Sequence, residues 1–423
     1  MSVNRIINNV RIATPLGNTA HKGKEMSEIH FIDEGLIVIV DGMIEYAGKE
    51  TECPPTLLAA HEYEYTDAGG RMAIPGFVDS HTHLIFGGFR PDEFSWRLKG
   101  ESYMSIMQRG GGIQSTVNAT RNASDQEINS KTSWLIGRMI EMGVTTVEAK
   151  SGYGLDIATE KMQLEAIRSL QDNEESPLNV VATFLGAHAV PIEYKGRTGE
   201  YVDYLIGEML PAFKGLASFC DVFCEKNVFE LEDSRRLLEA AAEMGYKLKL
   251  HADEIVTLGG AELAADLKAI SADHLLHVSD EGIRRMAEEG VVATLLPLTA
   301  FALKEPFAPA RKFIDAGAAV ALATDLNPGS CFSGSIPLTI ALACIHMGMS
   351  IEETLTALTL NGAAALDMAD KTGSLETGKQ ADIVILEFDN LNYLPYYVGM
   401  NCVRTTLHKG RIVYESVNPF KSR

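Results

Sequence analysis

Residues 233–251 read Asp-Ser-Arg-Arg-Leu-Leu-Glu-Ala-Ala-Ala-Glu-Met-Gly-Tyr-Lys-Leu-Lys-Leu-His, and this stretch holds the plan of the whole chain. Asp233-Ser234 is a helix start, leucines and alanines recur on one face as far as Met244, and Gly245 is a stop. Lys247–His251 then has strand length and ends on an imidazole. The same style runs outward in both directions. Candidate strands are Phe77–His83, Thr145–Ala149, Val180–Ala187, Ser218–Cys224, Lys247–His251, Ser271–His274, Val291–Leu296 and Ala319–Thr324. Helical patterns separate most of them, among them Asp280–Glu289, which also stops at a glycine. Short apolar strands alternating with helices pair in parallel, and eight of them predict an α/β fold, a (β/α)8 barrel of the TIM type, over residues 76–370.

The two ends read differently. Gly35–Asp41 is an apolar run, Asp41-Gly42 is a turn dipeptide, and Met43–Ala47 resumes the extended pattern, so a hairpin is expected. Ala381–Glu387 is a further strand, and Val403–Val413 reads as a hairpin around Lys409-Gly410. Residues 1–75 and 371–423 are therefore expected to build one small β-sandwich domain together.

Composition narrows the function. The chain has 423 residues, 46% of them hydrophobic and 22% charged, which excludes a disordered or fibrous protein. Its net charge of −20 argues against nucleic acid as a partner, because an acidic surface repels phosphates. Residues 1–10 lack the apolar core of a signal peptide, and no run reaches the roughly 20 apolar residues of a membrane span. The six cysteines form no CxxC pair. The expectation is a cytoplasmic protein with reduced thiols and no membrane partner.

Chemistry collects at the strand ends. In an extended strand His81 and His83 face the same way and make half of a metal site, or merely a pair of hydrogen-bonded polar residues. His251, His274 and Asp325 each close another candidate strand. Barrel enzymes place reactive groups at the C-terminal ends of their strands, so these groups converge whatever their separation in sequence. Gly110–Gly112 matches neither phosphate-binding glycine pattern.

Pro75-Gly-Phe-Val-Asp-Ser-His-Thr-His83, His251-Ala-Asp-Glu254, Ser271-Ala-Asp-His274 and Ala323-Thr-Asp325 together resemble the amidohydrolase superfamily. His83–Arg90, Arg109–Ile113, Lys150-Ser-Gly-Tyr-Gly154, Gly186-Ala-His188 and Thr324-Asp-Leu-Asn-Pro-Gly-Ser330 are similar to its branch that opens an imidazolone ring. The resemblance runs over nearly the whole chain. It implies hydrolysis of the cyclic amide of 4-imidazolone-5-propanoate, a small-molecule substrate, to N-formimidoyl-L-glutamate, with a metal-activated water and no nucleotide or redox cofactor.

The resemblance also implies roles. His81, His83, His251 and Asp325 would hold one Zn²⁺ or Fe ion. The fourth candidate strand contains no lysine to bridge a second metal; Lys226 lies just beyond it and Lys150 belongs to an earlier segment. Glu254 would move the proton, His274 would stand beside the water or the developing oxyanion, and Asp273 is expected to point into the surrounding layer. Arg90 would hold the substrate carboxylate, Tyr153 would offer a hydroxyl and a ring face from a flexible loop, and His188 would donate a hydrogen bond to the ring. Asn327, Gly329 and Ser330 would offer side-chain and backbone groups, with Tyr103 a further candidate. A homodimer is expected. Two other readings share much of this pattern. A purine or pyrimidine deaminase would keep the metal set without needing Arg90 and would release ammonia. A non-enzymatic binding or assembly relative would be expected to have lost a ligand, and all four are present.

Overall fold

The computed structural model describes residues 4–101, 109 and 111–417, so Tyr103 and Gly110 lie outside the described residues. Within them, eight parallel strands neighbour one another in chain order: Phe77–Asp79, Val144–Lys150, Asn179–Ala187, Phe219–Cys224, Lys247–Ala252, Ser271–His274, Val292–Leu295 and Val320–Leu322. They form the expected barrel. The helix expected at 233–244 spans Leu231–Glu243, and the one at Asp280–Glu289 has the expected bounds. The latter is capped by Ser279, whose hydroxyl accepts the Gly282 N–H, and it ends at Gly290 with φ 76°.

The first barrel strand is shorter than its sequence suggests. It stops at Asp79, and His81 and His83 lie beyond it. There the chain bridges the second strand and the segment after the eighth, with Thr82 accepting the Lys150 N–H at 3.1 Å and donating its hydroxyl to the Glu148 carbonyl at 2.6 Å. Asp325 N–H donates to the His81 carbonyl at 3.0 Å and His83 N–H to the Leu326 carbonyl at 2.9 Å, with Thr82 bridging Leu326. Asp79 ties the same ends together, accepting the Thr324 N–H at 2.9 Å and its hydroxyl at 2.6 Å. The first and last strands are thus joined beside the metal-ligand candidates.

Both chain ends supply one mixed eight-stranded sheet. Its main path runs Arg411–Glu415, Val403–His408, Ile383–Leu386, Met72–Pro75, Arg5–Thr14, His30–Val40, Met43–Lys49, and Glu64–Asp67 pairs with Arg5–Thr14 off this path. Alternate residues such as Ile7, Ile37, Ile39, Ile383 and Ile385 pack into its own apolar core, consistent with the expected β-sandwich. Met72–Pro75 leads straight into the first barrel strand, and Asn179 on the barrel donates to Gln380 and Asp382 of the sheet. All six cysteines are free thiols, and among the described residues no helix is long and apolar enough to cross a membrane.

Candidate active site

Four side chains converge at the C-terminal mouth of the barrel. His81 Nε2 and His83 Nε2 stand 3.6 and 3.5 Å from one oxygen, Oδ1 of Asp325. His251 Nε2 is 3.4 Å from His83 Nε2. All four residues are buried, and His81 Nε2 has no hydrogen-bond partner. Buried polar atoms are nearly always paired, so an orphaned imidazole nitrogen facing a carboxylate points to a cation between them. Ligand atoms about 2.0–2.1 Å from a tetrahedral ion stand about 3.3–3.4 Å apart, close to these spacings. The donor set fits a divalent metal ion. Asp325 has φ 52°, a left-handed backbone that a non-glycine residue holds only when its surroundings fix it. Its second oxygen accepts the Thr299 hydroxyl at 2.6 Å.

Behind these four side chains lies a layer of charge that sequence reading missed. Asp273 Oδ2 accepts from His81 Nδ1 at 2.6 Å, and Asp221 Oδ2 stands 3.1 Å from His251 Nδ1. Lys150 Nζ is 2.7 Å from Asp221, 2.9 Å from Glu148 and 3.8 Å from Asp273. Lys249 Nζ lies 3.4 Å from Glu148 and 3.6 Å from Asp273. All five are fully buried. The expectation that Asp273 points outward is therefore wrong. His274, the next residue, has φ 75°, which breaks the strand alternation and lets both residues face the mouth. A signal was present in sequence: Glu148 with Lys150, and Lys249 with His251, are i, i+2 pairs of ionisable residues within barrel strands.

Glu254 Oε1 lies 3.6 Å from His274 Nδ1. Burial first, and then the Asp325 carboxylate, push the Glu254 carboxyl up to about 8. Burial, then His251, holds His274 well below the usual imidazole range, so it is neutral, and neither ring nitrogen has a hydrogen-bond partner. The HADE turn that carries Glu254 is built by Asp253, whose two oxygens accept the N–H groups of Leu258, Gly259, Gly260 and Ala261.

The substrate-reading candidates line the same mouth. Tyr153 is buried, its ring 5.8 Å from His83 and 5.1 Å from His188. Its loop is pinned, contrary to the expectation of flexibility. The buried Glu160 carboxylate accepts the N–H groups of Gly152, Gly154 and Leu155. Gly152 has φ 104°, and a Cβ there would lie 2.7 Å from the Leu185 carbonyl oxygen, so only glycine fits. His188 stacks on His83 at 4.8 Å, and burial followed by His251 lowers it to about 3. This neutral ring donates Nδ1–H to the Gly152 carbonyl at 3.0 Å, which leaves Nε2 as an acceptor rather than the expected donor.

Arg90 is 11% exposed at its side chain, and its Nε is buried without a hydrogen-bond partner. Its Nη1 lies 3.5 Å from Glu93, and its Nη2 lies against Gly329. Asn327 is engaged within its own loop. Its Oδ1 accepts the N–H groups of Gly329 and Ser330, and its Nδ2 donates to the Asp325 carbonyl and to Ser330 Oγ. The groups expected to face the substrate there instead hold the Asp325 loop in shape. Arg97 Nη2 donates to the Gly329 carbonyl at 2.9 Å, tying the Pro91–Leu98 helix to that loop.

Residues 107–414 match the model described as the Amidohydrolase family, and the chain belongs to that family. Amidohydrolases are metal-dependent enzymes that act on small molecules, in keeping with the buried donor cluster. Curated relatives narrow the class. The chain is 61% identical over 419 residues to an imidazolonepropionase of Bacteroides fragilis, covering 99% of this chain and 100% of the relative. It is 62% identical over 416 residues to one from Bacteroides thetaiotaomicron, covering 98% and 99%. Within the amidohydrolases its place is in the imidazolonepropionase family. A solved 5-methylcytosine deaminase from Klebsiella pneumoniae shares the fold, with a TM-score of 0.72 over 99% of both chains but 17% identity.

Proposed function

We propose that this chain is a hydrolase that opens the ring of 4-imidazolone-5-propanoate to N-formimidoyl-L-glutamate, a step of histidine degradation. The observation that carries this reading is Arg90. A buried guanidinium N–H without a partner, on a side chain near enough to Tyr153 and His188 to act on both electrostatically, suits a substrate carboxylate. A deaminase acting on a nucleobase, the activity of the fold neighbour, has no tail for such a cation to hold.

His81, His83, His251 and Asp325 would hold one Zn²⁺ or Fe ion, which supplies Lewis acidity and lowers the pKa of water near it. The protein's own residues do the rest. Arg90 clamps the propionate, and the Tyr153 and His188 rings bound the planar ring, with His188 Nε2 accepting a ring N–H. Glu254, which a cation held by the neighbouring ligands would favour as the carboxylate, takes the proton of the attacking water and passes it to the ring nitrogen as the C–N bond breaks. The former carbonyl carbon becomes the new carboxylate. His274 donates to the developing oxyanion, worth several kcal/mol in a dry pocket, about 2.7–4 for one such donor. The enzyme would act in the cytoplasm as a homodimer. Loss of ring absorbance on incubating the metal-loaded protein with 4-imidazolone-5-propanoate tests the reading; no loss, against steady turnover of a nucleobase, would replace it.

A further inference from the structure

We propose that Asp273 and Asp221 are positioning residues that fix the ring orientation and tautomer of His81 and His251, and that Lys150 and Lys249 hold those two carboxylates in place. The inference rests on the reading of the site as a metal centre. An imidazole offers a metal only the nitrogen that its other nitrogen's hydrogen bond leaves free. Asp273 takes Nδ1–H of His81 and Asp221 that of His251, so both rings turn Nε2 toward Asp325 and His83. His83 lacks such a partner: its Nδ1 is buried and unpaired, and its ring is held by stacking on His188. Two of the three imidazoles are therefore oriented by charge and one by packing.

The carboxylates need help to stay ionised in a fully buried layer, where an unpaired charge is costly. Lys150 joins Asp221, Glu148 and Asp273, and Lys249 bridges Glu148 and Asp273 while donating to the Ser80 carbonyl at 3.0 Å. Lys150 and Lys249 thus lie against all three carboxylates of the layer, directly beneath the ligand cluster. The layer also links four strands, the second, fourth, fifth and sixth, directly under the ligands.

The test measures zinc affinity by chelator competition and histidine ring nitrogens by ¹⁵N NMR in the zinc-loaded protein. The wild type is expected to hold zinc, with His81 and His251 protonated at Nδ1 and metallated at Nε2. Asp273→Asn and Asp221→Asn should each weaken zinc binding about 10- to 100-fold. Thr183→Val removes the hydroxyl that Glu148 accepts in the same layer but touches neither histidine. It should lower thermal stability and leave zinc affinity at the wild-type value. Metallation at Nδ1 in the wild type overturns the inference even if neither variant folds, and wild-type zinc affinity in both folded Asp→Asn variants overturns it as well. A wild type that binds no zinc or iron at all would instead overturn the metal-centre reading beneath it.

Discussion

A Cβ built on Gly329 would stand 1.5 Å from Nη2 of Arg90, so the glycine after Asn327-Pro328 is the seat of the guanidinium. The loop that carries Asp325 and the arginine proposed to hold the substrate tail are thereby one mechanical unit. Gly329→Ala should displace Arg90 while the Asn327 turn and the metal ligands stay in place. Steady-state kinetics should show KM raised about tenfold or more, the size of a lost charged hydrogen bond of about 1.5–3 kcal/mol, with metal content unchanged.

Arg90 itself can be tested by chemistry on the substrate. Arg90→Met should lower kcat/KM roughly 10- to 100-fold. Arg90→Lys should recover only part of this, because an ammonium lacks the planar fork. Esterifying the propionate should penalise wild type far more than Arg90→Met. An equal penalty for both would mean that the tail binds elsewhere.

Glu254→Gln keeps the shape of the HADE turn, since Asp253 holds the turn. Elemental analysis should find its metal content unchanged, while kcat falls roughly 10²–10⁴-fold, the usual scale of general acid–base catalysis. A variant at wild-type kcat would hand the proton transfer to His274.

The sheet built from both chain ends carries an acid-sensitive pin. Burial pushes the Asp382 carboxyl up, but His408 at 2.9 Å, the Lys409 N–H and the Thr372 hydroxyl outweigh it and hold it below 3.8. A folded value below the unfolded one stabilises the fold above the unfolded pKa, and that stability is lost as pH falls through the folded value. Asp382→Asn should thus cost about 3–5 kcal/mol in urea unfolding at pH 7. The gap to wild type should narrow as pH falls below about 4.

Much of the barrel was legible because its strands are short apolar runs with an ionisable residue near or just past their C-terminal ends, as at His251 and Asp325. The terminal sheet was legible from turn dipeptides, Asp41-Gly42 and Lys409-Gly410 among them. What sequence concealed were departures from local regularity. His81 and His83 sit past their strand because the chain there bonds to residues 325 and 326, more than 240 positions away. Asp273 faces inward because His274 takes a left-handed φ, which no pattern of apolar residues announces. The lysine–carboxylate layer was hidden because partners on four separate strands meet only after the barrel forms.

The account stands most directly on where water enters the product. Metal-loaded protein turned over with 4-imidazolone-5-propanoate in H₂¹⁸O should yield N-formimidoyl-L-glutamate carrying one ¹⁸O in its new carboxylate, with no ammonia released. Ammonia as first product with the ring intact, or ring opening that incorporates no solvent oxygen, would contradict it.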